Sequence, residues 1–214
     1  MRKTSLTAAA LAAAAALTLS ACGGGDDESS SVAEVSAGPT KAATVLDNPL
    51  DKPDLVLTDT DGKKYDFIKE TKGHPVLLYF GYRHCPDACP FTMSNISLAL
   101  RKLSPAERKE LRVVFVSSDP KRDTPKELGK WLAQNDKSFI GLTGDFDTIQ
   151  AGARAVNIYL DQPKKVKGTW VSSHSPRVVA FSPKDDKGHA IYDKDTTADE
   201  YAKDLPKIIK GGTP

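Results

Sequence analysis

Short apolar runs alternate with segments of helical periodicity along most of the chain. The runs Pro75–Tyr82 and Leu111–Val116 are almost wholly apolar and are bounded by polar or turn-forming residues. Continuous runs of this length are typical of strands that are buried on both faces of a sheet. Further strands are predicted at Phe139–Leu142, Arg177–Phe181 and His189–Tyr192.

Four segments have the pattern of helices. In Pro90–Leu103, apolar residues recur at helical spacing. Thr124–Gln134 begins with a threonine followed by proline, which predicts a threonine N-cap and a proline at the first helical position. Two more helices are predicted at Phe146–Val156 and Thr197–Ile209.

A hairpin precedes the first buried strand. Asp54–Leu57 and Lys64–Phe67 flank the pair Asp61-Gly62, which is a strong turn signal. Strands and helices then alternate, and an antiparallel pair of strands follows. We therefore predict an α/β protein with a thioredoxin-like fold, in which helices flank a central mixed sheet. Sites in such sheets lie at the carboxyl ends of strands, so the residues after Tyr82 are the place to look.

The first residues have the features of a secretory signal. Two basic residues precede an uncharged, alanine-rich segment at residues 4–19, which is short for a membrane-spanning helix. The sequence LSAC at residues 19–22 then resembles the lipobox of bacterial lipoproteins, in which the cysteine carries lipid. We predict a lipoprotein signal peptide at residues 1–21 and lipidation of Cys22. The alternative is an ordinary signal peptide with a chance cysteine.

The remainder of the chain divides into a tether and one domain. Residues 22–46 are small and polar and cannot form a core, so they predict a flexible, lipidated tether. Residues 47–214 have the length of a single domain with one core.

The charge of the chain excludes some partners. It contains 30 basic and 28 acidic residues, and loss of the signal peptide would remove two basic residues and balance the signs. A neutral domain without a basic block lacks the electrostatic footprint of a nucleic-acid-binding protein or of a surface that binds lipid head groups. We expect no nucleic-acid partner. We expect the lipid to hold the protein at the extracytoplasmic face of a bacterial cell membrane, where disulfides are permitted.

The residues after the first buried strand contain the candidate chemistry. The sequence GYRHCPDACP at residues 81–90 includes Cys85 and Cys89, the only cysteines besides Cys22. If the segment is helical, this spacing places both sulfurs on one side, and a helix N-terminus favours thiolate over thiol. Such a pair either closes a disulfide or binds a soft metal ion such as Cu(I).

Other interpretations of the pair are weaker. A purely structural disulfide would close a very small loop and gain little entropy. A structural zinc site usually has four ligands, whereas the domain has only two thiols. Two cysteines with one histidine would form a site of low coordination number, which suits copper better. Met93 lies one turn beyond Cys89, but an apolar helix face explains it better than metal binding does.

Several segments resemble the Sco/SenC family. GYRHCPDACP is similar to the family signature, in which an aromatic residue and a histidine precede CPxxCP. FVSSDPKRDTP at residues 115–125 is similar to the DPxRDTP segment of the family, and FIGLTG at residues 139–144 also resembles family sequence. The resemblance covers nearly the whole folded domain, from about Asn48 to the last strand, and the first two motifs are highly specific in combination.

The resemblance implies a thioredoxin-like fold with a hairpin insertion and a copper site. In the family, two cysteines and one distant histidine bind the metal. Here these are Cys85, Cys89 and His174, which precedes a late core strand. The family helps to deliver copper to cytochrome c oxidase, which implies a copper-receiving oxidase subunit and an upstream copper donor as partners.

The region around His174 departs from the family pattern. Family members usually have aspartate immediately before the histidine and a small apolar residue two positions after it. This chain has Ser173 and Pro176 at those positions. The missing acid removes a group that would orient the imidazole, which affects metal affinity more than the identity of the ligand.

Polar residues near the motifs have simpler interpretations. His84 adjoins Cys85, but we expect it to be structural or exposed. By resemblance, Asp119 is an acid near the copper, and the alternative is a role in the turn that precedes a helix. We expect Arg122 and Asp123 to form a local turn and ion pair.

Two functions fit these residues. A metallochaperone would bind copper, as Cu(I) or Cu(II), and deliver it to the oxidase. A thiol–disulfide oxidoreductase would use the same cysteines to reduce those of the oxidase copper site, although thioredoxins use the shorter CxxC spacing. A peroxidase needs a single reactive cysteine and fits poorly, and a redox or copper sensor is a further alternative. The sequence leaves open whether the protein is an enzyme.

Overall fold

The computed structural model describes residues 42–214, except for the side chain of Thr169. The predicted signal peptide at residues 1–21, the predicted lipidation site Cys22 and most of the predicted tether lie outside the described residues. Within residues 42–214, no helix has both the length and the apolar content that crossing a membrane requires.

An eight-stranded mixed sheet lies at the centre of residues 42–214, with helices on both faces. Its strands are β1 (Ala43–Asp51), β2 (Val56–Asp59), β3 (Lys64–Asp66), β4 (Val76–Gly81), β5 (Arg112–Ser117), β6 (Ile140–Thr143), β9 (Val178–Phe181) and β10 (Lys187–Tyr192). A separate hairpin consists of β7 (Lys164–Val166) and β8 (Thr169–Val171). The helices are α1 (Phe67–Glu70), α2 (Ala88–Leu100), α3 (Pro105–Glu110), α4 (Pro125–Leu132), α5 (Phe146–Ala155) and α6 (Ala198–Ile209).

The order of strands in the sheet is β1-β10-β9-β4-β5-β6-β2-β3. β4, β5 and β6 are parallel neighbours, and the other pairings in this sheet are antiparallel. The predicted mixed α/β sheet is therefore confirmed. Because β4 and β5 are parallel, their last residues Gly81 and Ser117 pair at the same edge of the sheet.

β4 lies in the middle of the sheet and is buried along its whole length. Leu77 and Tyr79 belong to one core, which also contains residues of α2, α4 and α6. Leu78 and Phe80 belong to the opposite core, with residues of α1 and α5. A strand covered on both faces needs apolar side chains at every position, and each large one stabilises the fold by about 1.5–3 kcal/mol.

The predicted helix starts are confirmed where a side chain caps the helix. The Thr124 hydroxyl accepts the backbone N–H of Glu127 at the start of α4, and Pro125 follows at the first helical position. Thr197 and Glu200 form a capping box at the start of α6. These bonds satisfy N–H groups that have no partner within a helix.

Four features have no counterpart in the sequence prediction, namely β1, α1, α3 and the β7–β8 hairpin. β1 begins at Ala43 and so overlaps the end of the predicted tether at residues 22–46. Most of its side chains are exposed, and it pairs with β10 at the edge of the sheet, so its apolar pattern is weak. α3 buries no side chain, although Ser104 and Glu107 form a capping box at its start.

Candidate metal centre

The loop after β4 contains both cysteines. Cys85 lies in this loop, and Cys89 is the second residue of α2. The side chain of Asp87, at the N-cap position, makes no capping hydrogen bond, and the Cys85 Sγ atom accepts the backbone N–H of Cys89 at 3.4 Å. Because α2 begins at Ala88, Cys89 is helical and Cys85 is not. The sulfur of Cys85 lies at the positive end of the helix, where a negative charge is stabilised.

His174 reaches the cysteines from the connection between β8 and β9. It forms an isolated antiparallel bridge with Leu160. Backbone hydrogen bonds of 2.8 and 2.9 Å join residues 159–161 to residues 173–175 on either side of this bridge. These bonds fix the position of a histidine that is 85 residues from Cys89 in the sequence.

The structure brings the three predicted ligands together, and we call them the Cys-Cys-His cluster. One donor atom from each of Cys85, Cys89 and His174 lies within 4.8 Å of the other two. The Cys89 Sγ atom is 3.5 Å from His174 Nε2. Cys89 is buried, whereas Cys85 and His174 are partly exposed, so the cluster is accessible from one side. Both cysteines are free thiols.

Two tyrosines surround the imidazole of the cluster. The ring centroids of Tyr79 and Tyr82 lie 6.0 and 5.8 Å from that of His174, and both pairs are nearly perpendicular. The hydroxyl group of Tyr79 donates a hydrogen bond to Cys89 Sγ at 3.5 Å. The two aromatic rings therefore pack around the imidazole of His174, and the hydroxyl group of Tyr79 also contacts the buried sulfur of Cys89.

The two thiols differ in their protonation. A hydrogen bond from the Cys89 thiol lowers the pKa of Cys85 to about 4; burial opposes the shift, and His174 and the backbone N–H of Cys89 add to it. Burial raises the pKa of the Cys89 thiol, and the neighbouring Cys85 raises it further. At neutral pH the pair is therefore a partly exposed thiolate beside a buried thiol.

We expect Cys85 in the folded, metal-free protein to react with iodoacetamide at a nearly constant rate from about pH 5 to about pH 8. The thiolate is the reactive species, and a thiol with a pKa of about 4 is ionised throughout this range. An ordinary cysteine loses thiolate about tenfold for each pH unit below its pKa. Mass spectrometry of the alkylated protein identifies the modified residue.

Cys89 is the internal control for this measurement, because its buried thiol should stay unmodified while the protein is folded. In urea, both residues should follow the profile of an ordinary thiol. The pKa of Cys85 is lower in the folded protein than in the unfolded chain. Its ionisation therefore stabilises the fold fully above the pKa of the unfolded thiol, and this contribution is lost as the pH falls towards 4. A rate at Cys85 that keeps rising up to about pH 9 would contradict the lowered pKa.

Asp119 is buried but lies outside the Cys-Cys-His cluster. Its carboxylate pairs with Arg122, and its backbone carbonyl accepts the N–H groups of Arg122 and Asp123. Arg122 and Asp123 therefore lie in the expected turn, but Arg122 forms its ion pair with Asp119 and Asp123 lies near Arg83 instead. That Asp119 lies near a bound metal stays a prediction.

Asp123 contacts the cysteine loop, which the sequence interpretation missed. It is buried, and one carboxylate oxygen accepts the backbone N–H of Arg83 at 3.0 Å and the hydroxyl of Ser117 at 2.8 Å. Its other oxygen lies 3.6 Å from the Arg83 guanidinium and 3.9 Å from the His84 imidazole. Burial raises the pKa of this carboxyl group, which these hydrogen bonds oppose. Asp123 therefore ties the residues before Cys85 to the end of β5.

The two histidines near the cysteines have different surroundings. The side chain of His84 is 42% exposed and is not part of the cluster, as expected. The buried Nδ1 atom of His174 has no hydrogen-bond partner among the described residues. Because Ser173 stands where the family resemblance leads us to expect aspartate, the acid that would orient the imidazole is missing.

The donor atoms of the cluster fit a soft metal ion of low coordination number. Two cysteine sulfurs and an imidazole suit copper, and thiolates select Cu(I). Among the described residues, no further histidine, cysteine or carboxylate joins this cluster, whereas structural zinc sites have four protein ligands. The residues therefore fit copper better than structural zinc.

Comparison with known proteins agrees with this chemistry. A family model described as SCO1/SenC matches residues 47–210. The mitochondrial protein SCO2 of Saccharomyces cerevisiae is 34% identical over 111 residues, which is 52% of this chain and 36% of the yeast protein. The matches to other curated relatives also span less than two thirds of the length of those proteins.

Solved structures of Sco proteins share the fold described above. The apo Sco1 protein of Thermus thermophilus matches with a TM-score of 0.69 and 27% identity, over 78% of this chain and 96% of its own. The copper-bound ScoI of Bradyrhizobium japonicum matches with a TM-score of 0.62 and 29% identity, over 75% of this chain and 98% of its own. The expected thioredoxin-like fold is therefore confirmed.

Proposed function

The chain belongs to the SCO1/SenC family, and on this basis we propose that it binds copper through Cys85, Cys89 and His174 and delivers it to cytochrome c oxidase. Sco proteins are copper-binding proteins involved in the assembly of this oxidase. The proposed partner is the copper-receiving subunit of a terminal oxidase. An upstream copper donor would load the protein.

The proposal depends above all on the convergence of two sulfur atoms and one imidazole within 4.8 Å of one another. Cys85 is already a thiolate at neutral pH, and copper binding would displace the proton of Cys89 to solvent. Both sulfurs would then bind the ion as thiolates, and His174 would be the third ligand. These donors would hold copper as cargo for transfer.

The partial exposure of the cluster supports transfer to a partner. Cys89 is buried, so an acceptor approaches from the side on which Cys85 and His174 are exposed. His174 belongs to a connection between strands rather than to the central sheet. Its imidazole is therefore the ligand that an incoming donor group would displace first.

The proposed place of work is the extracytoplasmic face of a bacterial cell membrane. The predicted signal peptide at residues 1–21 and the lipobox-like LSAC at residues 19–22 support this proposal. Lipid on Cys22 would anchor the chain, and the tether would keep the domain at a high effective concentration near a membrane-bound oxidase.

Thiol–disulfide exchange is the second candidate function, and the protonation of the two thiols favours it. The partly exposed Cys85 thiolate is suited to attack a disulfide, and Cys89 is placed to resolve the mixed disulfide. In this reaction the acceptor disulfide is reduced to two thiols, while Cys85 and Cys89 are oxidised to a disulfide. His174 is neither oxidised nor reduced in this reaction, which therefore needs only the two cysteines.

The variant His174→Ala separates the two functions. We expect it to bind Cu(I) at least about 10–100-fold more weakly, because loss of a group that only orients a ligand already costs this much and here the third ligand itself is lost. In the presence of a competing chelator, it should therefore deliver less copper to the metal-free, reduced copper domain of an oxidase subunit. It should still reduce the oxidised form of that domain. Copper and free thiols are measured in the separated acceptor.

The variant His189→Ala is the matched control for this experiment. His189 pairs with Asp185 at 2.8 Å and lies outside the cluster, so its loss should leave copper binding and delivery unchanged. If His174→Ala binds and delivers copper as the wild type does, the proposed ligand set is wrong. If the wild type binds no copper but reduces the acceptor, the oxidoreductase function replaces the proposal.

A further inference from the structure

We propose that Tyr79 positions the buried sulfur of the cluster and, through its hydroxyl group, sets the equilibrium between the reduced and the disulfide forms of Cys85 and Cys89. Tyr79 lies on β4 outside the cysteine motif, and its side chain is fully buried. It is not one of the proposed metal ligands. Only the expected effect of Tyr79 on copper affinity rests on the proposed function, because the equilibrium of the cysteine pair can be measured without metal.

Two contacts connect Tyr79 to the cluster. Its hydroxyl group donates to Cys89 Sγ at 3.5 Å. The ring meets that of His174 edge to face, with 6.0 Å between centroids and 88° between planes. Phe115 on the neighbouring strand packs against the same ring, with 5.7 Å between centroids. A tyrosine held in the middle of the sheet thus contacts two of the three proposed ligands.

The hydroxyl group distinguishes this role from simple packing. A buried tyrosine hydroxyl needs a hydrogen-bond partner, and here the partner is a sulfur atom that changes its chemical state. In the reduced pair the Cys89 thiol accepts the hydrogen bond of the Tyr79 hydroxyl and donates its own to Cys85, so the two bonds strengthen each other, whereas a disulfide sulfur has no hydrogen to donate. Tyr79 therefore stabilises the reduced pair relative to the disulfide. Phenylalanine would fill the same space without this effect.

The ring of Tyr79 has a second role at His174. The Nδ1 atom of His174 has no hydrogen-bond partner among residues 42–214, and Ser173 has a hydroxyl group in place of a carboxylate. Apart from the contact of Nε2 with Cys89 Sγ at 3.5 Å, the imidazole is therefore oriented by packing against Tyr79 and Tyr82. Tyr79→Phe retains this packing, so the variant isolates the hydroxyl.

The test is the equilibrium of metal-free Tyr79→Phe with glutathione. In this reaction the Cys85–Cys89 disulfide is reduced to two thiols, while two glutathione thiols are oxidised to one glutathione disulfide. We expect the equilibrium constant to shift about tenfold towards the protein disulfide, which corresponds to a potential about 30 mV more negative. The Cu(I) affinity should also fall, because the bound thiolate loses the same hydrogen bond.

Tyr192→Phe is the matched control. Tyr192 is buried in the same core, but its hydroxyl donates to Asp204 at 3.4 Å, so its loss should leave the glutathione equilibrium unchanged. A wild-type equilibrium in Tyr79→Phe, or an equal shift in both variants, would overturn the inference. If the wild type binds no copper but Tyr79→Phe alone shifts the equilibrium, the proposed function fails and the inference stands.

A measurement on the wild type keeps the inference testable if the variant does not fold. Urea unfolding first establishes whether both tyrosine variants are folded. Ultraviolet resonance Raman spectra of the wild type then report on the tyrosine hydroxyl groups in the reduced and the disulfide forms. We expect a change in the tyrosine bands between the two forms, and identical spectra would contradict a hydrogen bond that responds to the sulfur.

Discussion

Replacement of Cys89 by serine is expected to weaken Cu(I) binding by at least about a thousandfold. Cys89 is fully buried, so neither water nor an exposed side chain can take the place of its sulfur. A serine hydroxyl is a hard donor that stays protonated, and it binds a soft ion poorly. Cys85 and His174 would then hold the ion with a single thiolate.

A competition titration against a chromogenic Cu(I) chelator, without oxygen, measures this loss. Met93→Leu is the matched control, because Met93 is a fully buried sulfur-containing residue on the same helix as Cys89. An apolar helix face explains Met93, which packs in the core with the other buried residues of α2, so its replacement should leave the affinity unchanged. A Cys89→Ser protein that binds Cu(I) within about tenfold of the wild type would show that copper does not use this sulfur.

Replacement of Gly81 by alanine is expected to destabilise the fold by about 2 kcal/mol and to displace the cysteine pair. A Cβ atom at this position would lie 2.6 Å from Tyr79 Cε1, 2.9 Å from Cys89 Sγ and 3.1 Å from Phe115 Cε2. All three neighbours are fully buried, so the strand, the sulfur or a ring must move. Since the Cys89 sulfur is one of the crowded atoms, Cu(I) affinity should fall together with stability.

Urea unfolding of the metal-free, reduced protein measures the loss of stability, and the chelator titration measures the loss of affinity. Gly129→Ala, within α4, is the control, because the three atoms nearest to its added Cβ all belong to the side chain of Thr60, at 3.1 Å or more, and not to the cluster. Alanine also favours a helix over glycine. This control should bind copper normally. If Gly81→Ala keeps both wild-type stability and wild-type affinity, the packing around the Cys89 sulfur is loose enough to accommodate the added methyl group, and the prediction is wrong.

The fold could be predicted from the sequence where a local pattern determines an element. β4 requires a continuous apolar run because both of its faces are covered. α4 begins where Thr124 and Pro125 supply a hydrogen-bond acceptor and a helical φ angle. The proximity of Cys85 and Cys89 also follows from their short separation, although only Cys89 is helical.

Contacts between distant segments could not be predicted in this way. β1 has no alternating pattern, and its pairing with β10 is what makes it a strand. Asp123 precedes an N-cap and has the local sequence of a turn residue, whereas its partner Arg83 lies 40 residues away. Tyr79 belongs to an apolar run and has the pattern of a core residue. His174 was predictable through family resemblance, because its neighbours in the sequence do not distinguish it from other histidines.

The separation of 85 residues between Cys89 and His174 has a consequence for the order of events during folding. Closure of so long a loop costs entropy until β9, which follows His174, pairs with β4. Pairing between distant strands is slow compared with helix formation. A chain synthesised from its N-terminus therefore presents both cysteines before the histidine has joined them. Copper could therefore have all three proposed ligands only in the folded, complete chain. A chain that is still being synthesised would have only the two cysteines available for binding the ion.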